Sequence, residues 1–244
     1  MRTYFKTSEG KKRSNNQDSM LVCNNNNYLL CAVADGMGGY KAGEVASKIA
    51  VDTLKDNFLA SSDLDDFNIP TFIRDSIKQA NTLIFEESSE NEDTKGMGTT
   101  ITLIIIDENE NIAYIGNVGD SRTYVINDKI TQITKDHSYV QELVNEGSIT
   151  DDEAKKHSRR NEITKAVGYS EDIETDIFEM QINKNDIFLL CSDGLTTHLS
   201  DEEIFDCIKR NVEESANNLV NIANDCGGTD NITVVIIDTV VEVK

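Results

Sequence analysis

Two aspartates stand where apolar runs stop, and each is followed by glycine. Asp35 closes the run from Leu29 to Ala34, and Asp193 follows the run that ends at Cys191. Asp230 precedes a third run, behind Gly227 and Gly228; Asp120 sits between Gly119 and Ser121 at the end of another; Asp18 ends the polar stretch that begins at Ser14. An Asp-Gly pair by itself is a turn dipeptide, so any chemistry depends on convergence. Carboxylates gathered within a few ångström cannot all stay ionised unless cations neutralise them. Oxygen-only ligation suits magnesium or manganese rather than zinc. Two such ions about 3.5–4 Å apart can share a water and deprotonate it, which is machinery for hydrolysing a phosphate ester. Arg13 closes a basic segment, Gly10 to Arg13, in an acidic chain, and offers a forked donor for phosphoryl oxygens.

For those acids to meet, strand ends must share a rim. Residues 2–8 read as an edge strand, and Ser19 to Cys23 and Tyr28 to Asp35 as a hairpin turning at the asparagines 24–27. Apolar residues at helical spacing predict helices over 42–59 and 72–85, followed by a charged loop, Ser88 to Lys95. Strands are predicted at Ile101 to Ile106, Ile112 to Val118, Arg122 to Ile126 and Lys129 to Ile133, the last three as a β-meander. Asp107 to Asn111 begins like a calcium loop. Ile112 stands where such a loop needs glycine and Val118 where it needs glutamate, so an EF-hand is excluded.

Residues 137–165, with a short helix at Tyr139 to Glu146, are too polar to build core and read as a surface excursion. Strands follow at Glu174 to Ile182 and Asp186 to Cys191. Helices at Ser200 to Ile208 (Ser200 and Glu203 forming a capping box) and Glu213 to Asp225 come next, then a strand from Ile232 continuing toward Val243. Helices are segregated from strands, which is an α+β pattern with antiparallel sheets. Without a linker or a fixed-period repeat, residues 1–244 count as one domain.

The formal charge of −21 argues against nucleic acid as a ligand, because phosphate contacts need Lys and Arg. Cys23, Cys31, Cys191, Cys207 and Cys226 lack metal or disulfide spacing and read as small core residues in a reducing compartment. No apolar stretch approaches the ~18 residues of a membrane span, and the N-terminus has no signal-like apolar region. A cytoplasmic, monomeric protein is expected, with no membrane insertion.

Seven motifs occur in order: Arg13-Ser14-Asn15-Asn16-Gln17-Asp18, Asp35-Gly36-Met37-Gly38-Gly39, Gly98-Thr99-Thr100, Asn117-Val118-Gly119-Asp120-Ser121-Arg122, Asp136-His137-Ser138, Cys191-Ser192-Asp193-Gly194 and Gly228-Thr229-Asp230-Asn231. Together they span nearly the whole chain, which resembles the metal-dependent serine/threonine phosphatases of the protein phosphatase 2C type in their compact bacterial form. The resemblance implies a four-layer α-β-β-α sandwich, two antiparallel sheets face to face with a helix pair on each outer face. It implies two core ions, Mn²⁺ or Mg²⁺, bridged by Asp35. The Gly36 carbonyl would bind the first, and Asp193 and Asp230 the second. Asp18 would act through metal-bound water, and Arg13 would grip the substrate phosphate. Asp120 with Asp193 would hold a third, weaker ion beside a flap at about 137–165. The reaction implied is direct in-line attack by the metal-bridging hydroxide on phosphoserine or phosphothreonine in proteins, without a phosphoenzyme. The implied partners are a membrane-anchored bacterial Ser/Thr kinase and its substrates.

Two departures matter. Gln17 stands where many relatives carry Glu, and Met37 where eukaryotic relatives carry a histidine proposed as general acid; Met cannot donate a proton. His137 is expected to order the base of the flap, and His157 and His198 to be surface residues. Two other readings stay open: a narrow regulator acting on one anti-sigma-antagonist-like protein, and a pseudophosphatase that binds without turnover. The presence of every expected acid speaks against the latter.

Overall fold

The computed structural model describes residues 1–38, 42–64 and 67–240. Gly39 of the second motif, and the predicted continuation of the last strand past residue 240, lie outside them. The strands are β1 (Arg2–Ser8), β2 (Asp18–Asn25), β3 (Tyr28–Met37), β4 (Gly98–Thr99), β5 (Ile101–Asp107), β6 (Ile112–Val118), β7 (Arg122–Ile126), β8 (Ile130–Gln132), β9 (Asp176–Gln181), β10 (Ile187–Cys191) and β11 (Ile232–Asp238). The helices are α1 (Ala42–Ser61), α2 (Ile69–Glu90), α3 (Tyr139–Asn145), α4 (Asp151–Ala154), α5 (Asp193–Thr196), α6 (Asp201–Arg210) and α7 (Val212–Asp225).

One sheet runs β1-β11-β10-β7-β8. The other runs β2-β3-β5-β6-β9, with β4 added to β3. Every pairing is antiparallel. Side-chain alternation explains why these strands read as unbroken apolar runs. On β3, Leu30, Ala32 and Ala34 face α1 and α2, while Leu29, Cys31 and Val33 face the other sheet. On β11, Ile232, Val234 and Ile236 face α6 and α7, while Val235 and Ile237 face inward. Both faces of each central strand are therefore buried. The result is two antiparallel sheets with helices outside, the α+β arrangement expected.

Three expectations are corrected. The segments β6, β7 and β8 are not a meander, because β6 and β7 lie in different sheets. The chain crosses between them through Gly119, whose φ of 104° needs glycine; both strands are apolar on both faces, so periodicity does not report which sheet owns them. Helix α2 is longer than its apolar pattern. Asn68 caps it by accepting the Thr71 N–H at 3.0 Å with Pro70 in the first turn, and it runs to Glu90, so the charged loop begins at Asn91. Of the cysteines, Cys31, Cys191 and Cys207 are buried as expected, whereas Cys226 is exposed at the end of α7.

One buried amide ties an outer helix to the segment beyond the surface excursion. Asn81 on α2 is fully buried, accepts from the Gly168 N–H at 2.7 Å and donates to the carbonyls of Ser170 and Glu171 at 2.8 and 3.1 Å. Val167 in turn exchanges backbone hydrogen bonds with Thr99 of β4. Replacing Asn81 with alanine strands these groups without partners; unfolding in urea should show a loss of about 2–3 kcal/mol, and a change below about 0.5 kcal/mol would contradict the assignment.

Candidate metal centre

The five aspartates come from both sheets and meet at one rim. Asp18 and Asp35 are register partners across β2 and β3. In the other sheet Asp193 opens α5 just after β10, and Asp230 precedes β11, which pairs with β10. Asp35 lies within the field of Asp18, Asp193, Asp120 and Asp230, and Asp120 within that of Asp193 and Asp136. Between the sheets the apolar core gives way toward this rim to hydroxyl pairs, Thr102–Thr123 and Thr100–Ser121, each at 2.7 Å. At the rim itself Ser192 Oγ donates to Asp18 Oδ2 at 2.8 Å and accepts the Thr233 N–H at 3.0 Å.

The backbone that carries the acids is fixed locally. Thr99 Oγ1 and the Thr100 N–H both donate to the Asp35 carbonyl at 2.9 Å, and the Asp35 N–H donates to Thr100 Oγ1 at 3.0 Å. The short strand β4, which supplies Thr99, leaves no mark in the sequence, because two residues are too few for periodicity to register. Gly36 is glycine because the start of α1 lies against it: a Cβ there would stand 2.0 Å from the Gly43 carbonyl oxygen. Gly194 is likewise pressed on the Asn231 carbonyl, 1.9 Å from where its Cβ would be. Both are cases where backbone must approach backbone.

Electrostatically the cluster is unfavourable on its own. Desolvation, then the charges of neighbouring acids, pushes Asp18 up to about 7, although the nearby hydroxyls of Thr233 and Ser192 oppose the shift. The same causes push Asp120 up to about 8 and Asp193 up to about 6, and hold Asp35 well above the carboxylate range. Asp18 Oδ1 is buried without a hydrogen-bond partner. Among the described residues no three His, Cys, Asp or Glu side chains close into a ready-made cage. A donor set of carboxylate oxygens that repel one another, one of them orphaned, nevertheless fits oxygen-ligated divalent cations, whose charge would relieve the repulsion.

Arg13 reaches this cluster from the loop after β1. Its Nη2 donates to Asp230 Oδ2 at 2.8 Å, while half of the side chain stays exposed. Gln17 contributes through its backbone: its carbonyl accepts from the Gly36 N–H and from Ser47 Oγ, and its N–H donates to Asn231 Oδ1. Arg122 forks onto Asp136, with Nε at 2.9 Å and Nη2 at 2.6 Å. His137 accepts the Gly119 N–H on Nδ1 at 3.1 Å, so its Nε2 carries the proton and faces Asp176 at 3.2 Å.

His137 thus ties the start of the 137–165 excursion to the turn that bears Asp120. The two ends of the excursion bridge at Ser138 and Ile163. Inside it Arg159 lies 3.6 Å over the Tyr139 ring and pairs with Glu162. A cleft of about 900 Å³ opens between this flap and α5–α6, with Asp120, Arg122 and Asp193 on one side and Lys155 and Arg160 from the flap.

His157 and His198 lie at the surface as expected, each half-exposed and each accepting a backbone N–H. His157 is half-buried beside Tyr139, and its Nδ1 accepts the Arg159 N–H. His198 Nε2 accepts the Thr229 N–H at 3.1 Å and so pins the turn before Asp230. No sequence signal reveals this, because Thr229 lies far along the chain. Ser192 and Asn231, by contrast, stand beside acids already singled out, and position alone could have flagged them.

With metal absent, the folded chain holds protons on these aspartates that the unfolded chain, titrating near 4, releases. Stability therefore falls as pH rises from about 4 toward about 8. Thermal melts of chelator-treated protein should decline by on the order of 5 °C across that window, and added Mn²⁺ should raise the midpoint more at pH 8 than at pH 5. Equal metal-induced shifts at both pH values would contradict the proton linkage.

The profile of the Protein phosphatase 2C family matches residues 7–231. The chain is 38% identical over 243 residues to a serine/threonine phosphatase, stp, of Listeria welshimeri, covering 98% of this chain and 96% of that one. It superposes with a TM-score of 0.91 on the crystal structure of the serine/threonine phosphatase Stp1 from Staphylococcus aureus, at 39% identity over 97% of this chain and 94% of the other. A crystal structure of the PstP catalytic domain in complex with two manganese ions matches with a TM-score of 0.86 and 35% identity, covering 98% of each chain.

Proposed function

The chain belongs to the protein phosphatase 2C family and is a protein serine/threonine phosphatase, and from that premise we propose that it hydrolyses phosphoserine and phosphothreonine by direct attack of water on phosphorus at a two-ion centre. The observation that carries this is the convergence of five aspartates from two sheets beside Arg13, with a buried carboxylate oxygen left unpaired. Asp35 would bridge two Mn²⁺ or Mg²⁺ ions. The Gly36 carbonyl would complete the first, Asp193 and Asp230 the second, with Asp18 acting through water. Asp120 with Asp193 would hold a third, weaker ion. When bound, such ions polarise phosphoryl oxygens and lower the pKa of water.

The protein's own groups do the rest. Arg13, already at the rim, presents its fork to the phosphoryl oxygens and orients phosphorus for in-line attack, so no covalent phosphoenzyme is needed. Leaving-group protonation falls to water: Met37 has no proton to give, and His137 is committed to Gly119 and Asp176. The biological reading is a cytoplasmic, monomeric enzyme that opposes a bacterial Ser/Thr kinase and shares its substrates, with one domain spanning 1–244.

Turnover of a phosphothreonine peptide should require Mn²⁺ or Mg²⁺ and stop in chelator, and Asp35→Asn or Asp193→Asn should lower kcat/KM by about 10³-fold or more. Full activity in chelator would sink the two-ion centre; metal-dependent peptide binding without turnover would favour the pseudophosphatase. For the flap, removing residues 148–160 should depress turnover of phosphoproteins by at least about tenfold, and of a small aryl phosphate by less than about threefold. Equal losses on both would show that the flap supports the centre rather than the substrate.

A further inference from the structure

Arg13 sits on a loop with no helix or strand of its own, and a group that must orient a phosphate needs a fixed backbone. One side chain grips both feet of that loop. Asn231, only 4% exposed, donates from its single Nδ2 to the Glu9 carbonyl at 3.0 Å and to the Asn15 carbonyl at 2.9 Å. Its Oδ1 accepts the Gln17 N–H at 2.8 Å, one residue before Asp18. The loop is pressed against the same segment from its tip. The Lys11 N–H donates to the Gly228 carbonyl at 2.7 Å, and Gly10, with φ of 81°, leaves no room for a Cβ beside the Asp230 carbonyl.

We propose that Asn231 is a positioning residue for phosphate binding: its amide holds the 9–15 loop so that the Arg13 guanidinium stands over the aspartate rim. This rests on the reading of Arg13 as the phosphate-gripping group. Only a primary amide does the whole task. Both of its N–H bonds are used on carbonyls, and its oxygen is used on a backbone donor. An aspartate would aim a carboxylate at two carbonyl oxygens, and alanine would leave all three groups unpaired. The contact between Asp230 Oδ1 and residue 231 is made by the backbone N–H, at 2.9 Å, and survives any of these replacements.

The experiment is a double-mutant cycle on the full chain at saturating Mn²⁺. It uses a phosphothreonine peptide as substrate, inorganic phosphate as competing ligand, Mn²⁺ titration calorimetry, and hydrogen exchange of the 9–16 segment. Asn231→Ala and Asn231→Asp should each raise KM and the phosphate inhibition constant by about tenfold, with kcat changed less than about threefold. Exchange of the 9–16 segment should quicken while Mn²⁺ affinity stays within about threefold. On an Arg13→Ala background, Asn231→Ala should add less than about twofold. Asn231→Ser, which is too short to reach both carbonyls, serves if either variant fails to fold and should show the same pattern. A full Arg13→Ala effect together with unchanged KM in the Asn231 variants, multiplicative effects in the cycle, or a weakened Mn²⁺ affinity would overturn the positioning role alone. An Arg13→Ala variant with unchanged KM and phosphate inhibition would overturn the reading of Arg13, and the positioning role with it.

Discussion

Mutual repulsion among half-buried aspartates is the constraint on which the rest of this structure depends. Asp18, Asp35, Asp120 and Asp193 all have their carboxyl pKa values raised by burial and by one another. A chain does not assemble such a cluster through local preference. It does so because two sheets, each held by its own helix layer and by a shared apolar interior, have no freedom to slide once their side chains interlock. The energy of that packing holds the acids together, and a divalent cation would turn the resulting strain into affinity.

The groups that aim the acids are mostly neutral. Ser192, Thr99 and Thr100 fix the backbones and oxygens around Asp18 and Asp35 by hydrogen bonds alone. A lysine in their place would form a buried ion pair and cancel the charge that attracts a cation. Arg13 is the instructive exception. It reaches Asp230 from a loop at the rim and remains half-exposed, where a phosphoryl group could compete for it. The chain's charge of −21 makes the same point at larger scale, because steering of a phosphorylated partner must come from a few placed cations and not from the surface as a whole.

The flap and the centre are joined by hydrogen bonds rather than by shared core. His137 ties the flap's first residue to the turn bearing Asp120, and the Asn81–Gly168 contact with the Val167–Thr99 bridge ties the segment beyond it to the backbone of Asp35. Within the flap, aromatic and ionic contacts around Tyr139 replace apolar burial. An excursion built this way can be reshaped without disturbing the two sheets, since few buried apolar contacts cross its base.

Asp35, Asp120 and Asp193 were legible in the chain itself, because glycine beside aspartate at the end of an apolar run marks a strand mouth whatever the fold around it. The capping box at Ser200 and Glu203 was legible for the same reason: its partners are three residues apart. Sheet membership was not. β6 and β7 look alike in sequence because both of their faces are buried, and only packing assigns them to opposite sheets. The roles of Asn81, His198 and Asn231 were likewise decided by tertiary structure alone, since their partners lie 87, 31 and up to 222 positions away along the chain. Local chemistry fixes what a residue can offer, whereas long-range register fixes what it meets.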